Sequence, residues 1–283
     1  MNNDGNNYVL EDIGGGIFSF RHVQTGEILH GSVGPCKEAR ELYVGSSGLM
    51  KNKAPEFTVF DIGMGCGAQL LALLDFLVSE HATCETLKVF SFDLEKNGLQ
   101  ALLAASGYFP SALVHKEFLE RAITSDEVTW KTINNRTLEW TFVGGDFRET
   151  VHFPLNKNKN LLADAIFYDF FSPASHPWLW TYDLFGKLFV YSHPKTRFVT
   201  YSSATSVKAA LAAAGWFIGQ TIPSGKKAKS ILAAGSMTEL EEPLPRQFLS
   251  TFENSHKPFC PAESDESKQI IRDKMRKHPQ FRV

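Results

Sequence analysis

Three glycines behind an acidic residue are the feature of this chain that points most directly to chemistry. The apolar stretch Val59–Ile62, which contains Asp61, leads into Gly63, Gly65 and Gly67, and an apolar helix is predicted to follow. Glycines at alternate positions let the backbone turn sharply and approach a ligand closely, because a Cβ would clash or forbid positive φ. The spacing differs from the GxGxxG that holds a pyrophosphate at a helix N-terminus. The turn therefore predicts a nucleotide-like cofactor that meets it with something other than a phosphate.

Carboxylates also follow two later strands of the predicted sheet. The strand Val89–Phe92 runs into Asp93-Leu94-Glu95, and the strand Trp140–Val143 runs into Gly144-Gly145-Asp146. Ligands of open α/β sheets bind at the carboxyl ends of the strands. There Glu95 can accept hydrogen bonds from both ribose hydroxyls, and Asp146 can accept one from an adenine amine. The competing interpretation is that these carboxylates are solvated loop residues. The residues predicted to bind S-adenosyl-L-methionine are Asp61, Gly63, Gly65, Gly67, Glu95 and Asp146.

These residues share one edge of a sheet only if their strands run parallel, and the pattern of the chain favours that arrangement. Short apolar strands alternate with apolar helices, which is typical of a parallel sheet with crossover helices. The predicted strands are Thr58–Ile62, Val89–Phe92, Trp140–Val143, Ala165–Tyr168 and Phe198–Tyr201, with helices near Gln69–Ser79, Leu99–Ala105, Thr181–Val190 and Ser206–Ala214. Trp216–Ile222 and Ser230–Ala234 flank a turn as an antiparallel hairpin would. The predicted fold is α/β, the doubly wound Rossmann-like sheet of class I methyltransferases with a terminal antiparallel hairpin.

The remaining segments are predicted to surround this sheet. Residues 1–55 form an N-terminal β extension, with a hairpin over Tyr8–Arg21 and a helix over Pro35–Val44. The catalytic domain is predicted to span 56–235, with a polar insertion at Thr124–Arg136. Residues 236–283 are predicted to be a C-terminal tail of unassigned role with a helix from Ser264 to Lys277.

Composition excludes some classes of protein. Four cysteines lack CxxC spacing, so no metal site is predicted. The N-terminus carries no apolar signal-peptide region, and no apolar run reaches the roughly 20 residues of a membrane span. A cytoplasmic protein without a membrane segment is expected. The net charge of −2 neither suggests nor excludes a nucleic-acid substrate, since a local basic patch is enough to bind one.

The strand Ala165–Tyr168 brings a different group of residues to the same predicted edge. It delivers Asp169-Phe170-Phe171-Ser172-Pro173, and the chain continues as Ala174-Ser175-His176-Pro177-Trp178-Leu179-Trp180-Thr181. This stretch resembles the methyltransferase family that makes the 5-methylaminomethyl side chain of the wobble uridine in tRNA. The positions that match the family's pattern are Asp169, Ser172, Pro173, Pro177 and Trp180.

The resemblance extends in both directions from this loop. Upstream, the run from His30 to Gly34, together with Glu38, is similar to a family element, and downstream Gly225-Lys226-Lys227 is similar to the family's basic loop. The chain departs from the pattern at Phe170, where a small residue is common, and at His176, where Asn is usual. Asp61 stands where Glu is frequent, and Lys226-Lys227 is less rich in arginine than the family loop.

The resemblance implies N-methylation of the primary amine of 5-aminomethyl-(2-thio)uridine in tRNA, with S-adenosyl-L-methionine as the methyl donor. An alkylamine has a pKa near that of lysine, about 10, so it must lose a proton before it attacks. Asp169 is the catalytic residue expected to hold the amine and take or relay that proton; the alternative is a turn residue bonded to its own backbone. A separate oxidase is expected as a functional link. The predicted substrate-binding residues are Phe170, Ser172, Pro173, Trp180, Lys226 and Lys227.

Two other functions stay open at this stage. One is methyl or aminopropyl transfer to a small-molecule amine on the same fold, and the other is a non-catalytic RNA-binding module that keeps the fold. No Asn/Asp-Pro-Pro-Tyr/Phe step is present, and no cysteine lies near Asp169 in the sequence. Methylation of planar nitrogens and covalent methylation of cytosine are therefore not expected.

Overall fold

The computed structural model describes residues 7–31, 33–153, 160–221 and 229–282. The chain divides into two compact units, the first up to Thr150 and the second from Val151. Beside its helices, each unit contains a four-stranded stretch of sheet. Among the described residues, no helix is long and apolar enough to cross a membrane.

The first unit begins with a hairpin and a helix. The hairpin pairs β1 (Tyr8–Asp12) with β2 (Phe18–His22) in antiparallel register. Helix α1 (Pro35–Glu38) continues into a π-helical turn over Ala39–Val44. The remaining elements are β3 (Glu56–Ile62), α2 (Ala68–Val78), β4 (Thr86–Asp93), α3 (Asn97–Ala104), α4 (Pro110–Val114), α5 (Lys116–Thr124), β5 (Glu127–Lys131), β6 (Thr137–Gly144) and α6 (Phe147–Thr150).

The second unit has the same alternation, followed by a tail. Its elements are β7 (Ala165–Tyr168), a 3-10 turn over Pro177–Leu179, α7 (Tyr182–Phe189), β8 (Arg197–Thr200), α8 (Thr205–Ala214), β9 (Phe217–Gln220), β10 (Ile231–Ala234), α9 (Phe248–Glu253) and α10 (Asp265–Lys277). Helix α8 ends at Gly215, whose φ of 114° suits a glycine cap.

The pairing of strands confirms the predicted α/β fold. In the first unit the order is β5-β6-β4-β3, with β6, β4 and β3 parallel and β5 antiparallel to β6. In the second the order is β7-β8-β10-β9, with β7 and β8 parallel. Strand β10 is antiparallel to both β8 and β9, which is the predicted terminal hairpin.

The predicted polar insertion at Thr124–Arg136 is wrong, because this segment contains the edge strand β5. Val128 is buried and Trp130 half-buried, while Glu127, Thr129 and Lys131 point to solvent. An edge strand needs only one apolar face, and two apolar side chains at alternate positions supply it here.

The C-terminal tail packs onto the second unit. Helix α10 is capped by the Ser264 hydroxyl, which accepts a hydrogen bond from the Ser267 amide at 3.0 Å. Past this helix, the buried Gln280 side chain accepts from the Ile218 amide at 2.8 Å and donates to the carbonyls of Ile218 and Leu244 at 2.6 and 3.0 Å. One amide side chain thus satisfies part of the outer edge of β9, which β10 does not cover. The proposed division at residues 55 and 235 stays a prediction.

Replacing Gln280 by alanine is expected to destabilise the protein. The Ile218 amide and two carbonyls would lose a buried partner, and one or two unsatisfied groups cost about 2 to 4 kcal/mol in all. Urea denaturation measures the free energy of unfolding. Gln247→Ala, at an exposed position before α9, is the matched control, expected to change it by less than about 0.5 kcal/mol. Equal effects of the two substitutions would contradict the role given to Gln280.

Candidate functional site

The glycine turn after β3 has the predicted shape. Every residue of β3 after Glu56 is buried, and the chain then passes through Gly63, Gly65 and Gly67, at φ of 82°, 54° and 77°. These are left-handed conformations that glycine adopts without strain. A Cβ on Gly67 would also lie 2.6 Å from the Leu99 side chain, which would have to shift.

Asp93, the last residue of β4, anchors this turn. Its Oδ2 accepts a hydrogen bond from the Gly65 amide at 2.7 Å, and its Oδ1 accepts one from the Leu94 amide at 2.7 Å. Its carbonyl accepts from the Gly145 amide at 3.0 Å, beyond the end of the neighbouring β6. Burial raises the pKa of Asp93 to about 6, against the two backbone hydrogen bonds that lower it. Asp93 is therefore mostly ionised near pH 7.5, and its carboxylate accepts hydrogen bonds only.

Glu95 lies just beyond the end of β4, as predicted, but Asp93 is the carboxylate in the last position of the strand. Strand β4 ends at Asp93, and Glu95 lies exposed two residues later, where it accepts hydrogen bonds from the side-chain amides of Asn7 and Asn97. The cofactor role of Glu95 stays a prediction. The sequence signal for Asp93 is its position directly after the apolar run Val89–Phe92, which predicts a buried strand.

Asp61 lies inside the sheet, completely buried. Its Oδ2 accepts from the Ser91 hydroxyl at 2.9 Å, and that hydroxyl accepts from the Trp140 indole N–H at 3.0 Å. The second oxygen, Oδ1, has no hydrogen-bond partner within the described ranges. Burial raises the pKa of Asp61 to about 7, with the charge of Asp93 adding to the effect and the Ser91 bond opposing it. A buried oxygen without a donor, two residues before the glycine turn, fits a ligand that carries a protonated amine, as S-adenosyl-L-methionine does.

Gly98 belongs to the site although no motif pointed to it. It is the second residue of α3, and a Cβ there would lie 2.0 Å from the Gly65 carbonyl oxygen and 3.1 Å from the Cys66 Cα. The start of α3 therefore packs directly against the backbone of the turn. Only a glycine permits this approach.

Asp146 follows β6 and lies directly before α6. Its Oδ1 accepts from the Arg148 amide at 2.9 Å, and the Arg148 guanidinium pairs with both carboxylate oxygens. Hydrogen bonds from Arg148 hold the pKa of Asp146 below its usual range. The side chain is 31% exposed, so the carboxylate stays accessible beside its partner. The predicted role toward adenine is not tested by this placement.

The second unit carries the predicted acceptor loop. Strand β7 is completely buried, and the half-buried Asp169 follows it at once. The loop is fixed through its carbonyls. The Tyr201 hydroxyl donates to the Phe170 carbonyl at 3.0 Å, and the Trp180 indole donates to the Phe171 carbonyl at 2.9 Å. One side chain from the end of the loop and one from beyond β8 therefore fix the backbone next to Asp169.

Ser172 and Pro173 form a compact turn further along the loop. The Ser172 carbonyl accepts from the amides of Ser175 and His176 at 3.1 and 2.9 Å, and the hydroxyls of Ser172 and Ser175 lie 3.0 Å apart. Both Ser172 and Pro173 are half-buried. The turn brings the His176 ring to within 5.0 Å of the Phe171 ring.

Trp180 is completely buried, with the rings of Tyr168 and Tyr201 packed edge-on at 5.1 and 5.9 Å. Its indole holds the Phe171 carbonyl, which is a positioning role. The predicted contact of Trp180 with the substrate stays a prediction. Trp178 is the tryptophan of this segment with an accessible ring: it is 43% exposed and lies 5.0 Å from the His176 ring.

The family resemblance also includes residues before and after the acceptor loop. Lys226 and Lys227 lie outside the described residues. Lys229 pairs with Glu242. His30 and Glu38 are both buried, with Nδ1 and Oε2 4.0 Å apart, and Glu38 also accepts from the Gly31 amide at 3.4 Å. Glu38 thus ties the loop at Gly31 to α1.

A known family of methyltransferases matches part of this chain. Residues 112–236 match a family described as "S-adenosyl-L-methionine-dependent methyltransferase". This range contains Asp146 and the whole loop from Asp169 to Trp180. The glycine turn lies outside it, so the turn is an independent indication of the same cofactor.

Curated relatives carry the name "tRNA 5-methylaminomethyl-2-thiouridine biosynthesis bifunctional protein MnmC". The protein from Burkholderia multivorans is 26% identical over 197 residues, which cover 68% of this chain and 29% of that protein. The protein from Aromatoleum aromaticum is 28% identical over 204 residues, covering 68% of this chain and 30% of that protein. The chain thus spans under a third of the length of these relatives.

A solved structure supports the fold. The crystal structure of MNMC2 from Aquifex aeolicus superposes with a TM-score of 0.69 at 23% identity, covering 95% of this chain and 84% of that one. At this level of identity the likeness concerns the architecture. It agrees with the class I methyltransferase fold predicted from the order of the strands.

Gly98→Ala is expected to weaken S-adenosyl-L-methionine binding at least tenfold, about 1.4 kcal/mol. The new Cβ meets backbone atoms, so the glycine turn or α3 must shift. Isothermal titration with the cofactor measures the loss. Gly186→Ala in α7, with nothing within 4 Å of its new Cβ, is the control. It should keep the affinity and stabilise the helix by about 0.5 to 1 kcal/mol. An unchanged affinity in Gly98→Ala would contradict the close packing.

Proposed function

We propose that this chain, which belongs to the S-adenosyl-L-methionine-dependent methyltransferases, methylates the primary amine of 5-aminomethyl-(2-thio)uridine at the wobble position of tRNA. The observation that carries the proposal is Asp169, a carboxylate placed directly after the buried strand β7 in a loop held by Tyr201 and Trp180. The names of the curated relatives support the choice of substrate.

The residues around the glycine turn are proposed to hold the cofactor. Gly63, Gly65 and Gly67 leave the backbone open to close approach. Each oxygen of Asp93 already accepts one backbone N–H and has capacity for another donor. Asp93 can therefore accept both ribose hydroxyls, the role first assigned to Glu95. Asp61 is proposed to face the amino-acid end and Asp146 the adenine amine. When bound, S-adenosyl-L-methionine supplies an electrophilic methyl group.

Asp169 is proposed to prepare the acceptor. At neutral pH the substrate amine is mostly protonated, since its ordinary pKa is about 10. A carboxylate that accepts a hydrogen bond from the ammonium orients it and takes or relays the proton, which frees the lone pair for attack. The tethered loop carbonyls keep Asp169 in place, so its contribution is positioning as much as proton transfer.

The uridine itself is proposed to stack on exposed aromatic rings of the same loop. Trp178 has the accessible ring, and the half-buried Phe170 adjoins Asp169. RNA bases taken out of their helix commonly stack on such side chains. Ser172 and Pro173 would shape the pocket wall, and contacts from Lys226 and Lys227 to phosphates stay predictions from the sequence.

The substrate amine must be produced by a second activity before methylation. The curated relatives are described as bifunctional, and this chain covers about 30% of their length. We propose that a separate oxidase activity acts in the same modification, and that both work in the cytoplasm on tRNA.

Asp169→Ala is expected to abolish methyl transfer. The measurement is incorporation of labelled methyl from S-adenosyl-L-methionine into tRNA that carries 5-aminomethyl-uridine. The rate should fall by about 100-fold or more, the scale of a lost general base, while cofactor affinity stays within about threefold. Asp183→Ala, at an exposed position on α7, is the control.

Three outcomes would contradict the proposal. Collapse of cofactor binding in Asp169→Ala would mean that this residue serves the donor and not the acceptor. Transfer to a small amine without transfer to the modified tRNA would favour the small-molecule alternative. A protein that binds tRNA but not the cofactor would favour the non-catalytic module.

A further inference from the structure

The C-terminal tail ends in a concentration of positive charge that the proposed reaction does not use. From Lys268 to Arg282 there are six lysines and arginines and a single acidic residue, Asp273, in a chain whose net charge is −2. Helix α10 buries Ile271 and Met275 against the fold. The charged side chains are left on its outer faces.

Half of these cations are occupied by contacts within the tail. Lys268 pairs with Asp265 at 2.8 Å, and Arg276 pairs with Glu253 at 2.9 Å. The Arg272 guanidinium lies 4.8 Å from the centre of the Phe259 ring. Lys274, Lys277 and Arg282 are exposed, and none of them makes an ion pair with any residue that the structure describes.

One of these remaining cations, Lys274, lies close to the segment that follows the acceptor loop. The Lys274 Nζ is 5.0 Å from the centre of the Tyr182 ring, and the Tyr182 amide donates to the Glu263 carboxylate at 2.6 Å. Tyr182 is the first residue of α7 and comes two residues after Trp180, which holds the loop. The tail is thus attached to the segment that joins the exposed Trp178 to α7.

We propose that the exposed basic end of the tail, formed by Lys274, Lys277 and Arg282, is a docking surface for the phosphate backbone of an RNA substrate. The inference rests on the proposed function and deepens it. Lysine and arginine on one surface are the residues that neutralise phosphates without reading sequence. Lys274 lies near the start of α7, just after the acceptor loop, so RNA bound to this surface would be held while one base reaches Trp178 and Asp169.

Basic residues in the last turn of a helix also have a purely structural explanation. Lys274, Arg276 and Lys277 complement the negative end of the dipole of α10. That role changes the stability of the helix but gives no dependence of RNA binding on salt. The two explanations therefore differ in what a salt titration measures.

The test is the affinity of the full chain for fluorescently labelled tRNA at about 50 to 200 mM salt. Lys274→Gln and Lys277→Gln keep the aliphatic stem and the helical propensity. Each should weaken binding by about three- to tenfold and lower the slope of log affinity against log salt by about 1, and the double variant by about 2. Cofactor affinity, measured in parallel, confirms that the variants are folded.

Lys195→Gln is the matched control in the same unit. Lys195 is exposed and precedes β8, whereas the acceptor loop follows β7, so the parallel pairing of these strands places them at opposite edges. This control should leave the affinity and its salt slope unchanged. Losses in Lys274→Gln and Lys277→Gln no greater than in Lys195→Gln, in a wild-type protein that binds and methylates tRNA, would overturn the docking surface alone. A wild type that neither binds nor methylates the modified tRNA would overturn the proposed function and this inference with it.

Discussion

The hydrogen bond from the Gly65 amide to the Asp93 carboxylate is the interaction on which the donor site depends. It joins the turn after β3 to the end of β4, and the Phe92 carbonyl adds bonds from the amides of Gly63 and Met64. The turn must therefore point its N–H groups at the neighbouring strand, which requires the left-handed conformations that only glycine adopts easily. The same requirement explains Gly98, which leaves room for the turn from the side of α3.

This arrangement also controls the charge of the site. The buried Asp61 and the half-buried Asp93 lie on adjacent strands, and the charge of Asp93 raises the pKa of Asp61. Backbone amides keep Asp93 largely ionised, while Asp61 has only the Ser91 hydroxyl and an oxygen without a partner. A cationic ligand would relieve both effects. Negative charge held away from water at this site therefore favours a positively charged cofactor over one that carries phosphate.

The acceptor loop is held in place by hydrogen bonds from side chains to its carbonyls. Here aromatic side chains inside the second unit donate to loop carbonyls: Trp180 to Phe171 and Tyr201 to Phe170. The packed aromatic side chains set the position of the loop backbone. A substitution of Trp180 would therefore shift Asp169 indirectly, through the loop. The tail also stabilises the second unit. The Gln280 side chain accepts a hydrogen bond from the edge of β9, and the Glu263 carboxylate accepts one from the first residue of α7.

Sequence patterns predicted most of the sheet and part of the site, for reasons that the structure makes clear. The strand Ala165–Tyr168 was predicted at its observed bounds, since it is apolar throughout and ends at a charge. Strand β5 was missed because two apolar residues among five give a weak period. Periodicity also does not say where pairing ends, so the sequence does not separate Asp93 from Glu95 as the carboxylate at the end of β4. Whether a tryptophan is exposed depends on its tertiary neighbours, which is why the roles of Trp178 and Trp180 could not be separated.

The most direct test of the account compares Asp93→Asn with Glu95→Gln in cofactor binding. An asparagine at position 93 turns an NH₂ group toward one of the two backbone amides, which weakens the glycine turn and removes an acceptor for the ribose. Isothermal titration with S-adenosyl-L-methionine should show a loss of about 100-fold for Asp93→Asn, the scale of two hydrogen bonds to a charged group, and under about threefold for Glu95→Gln. A larger loss in Glu95→Gln than in Asp93→Asn would contradict the central place given to Asp93.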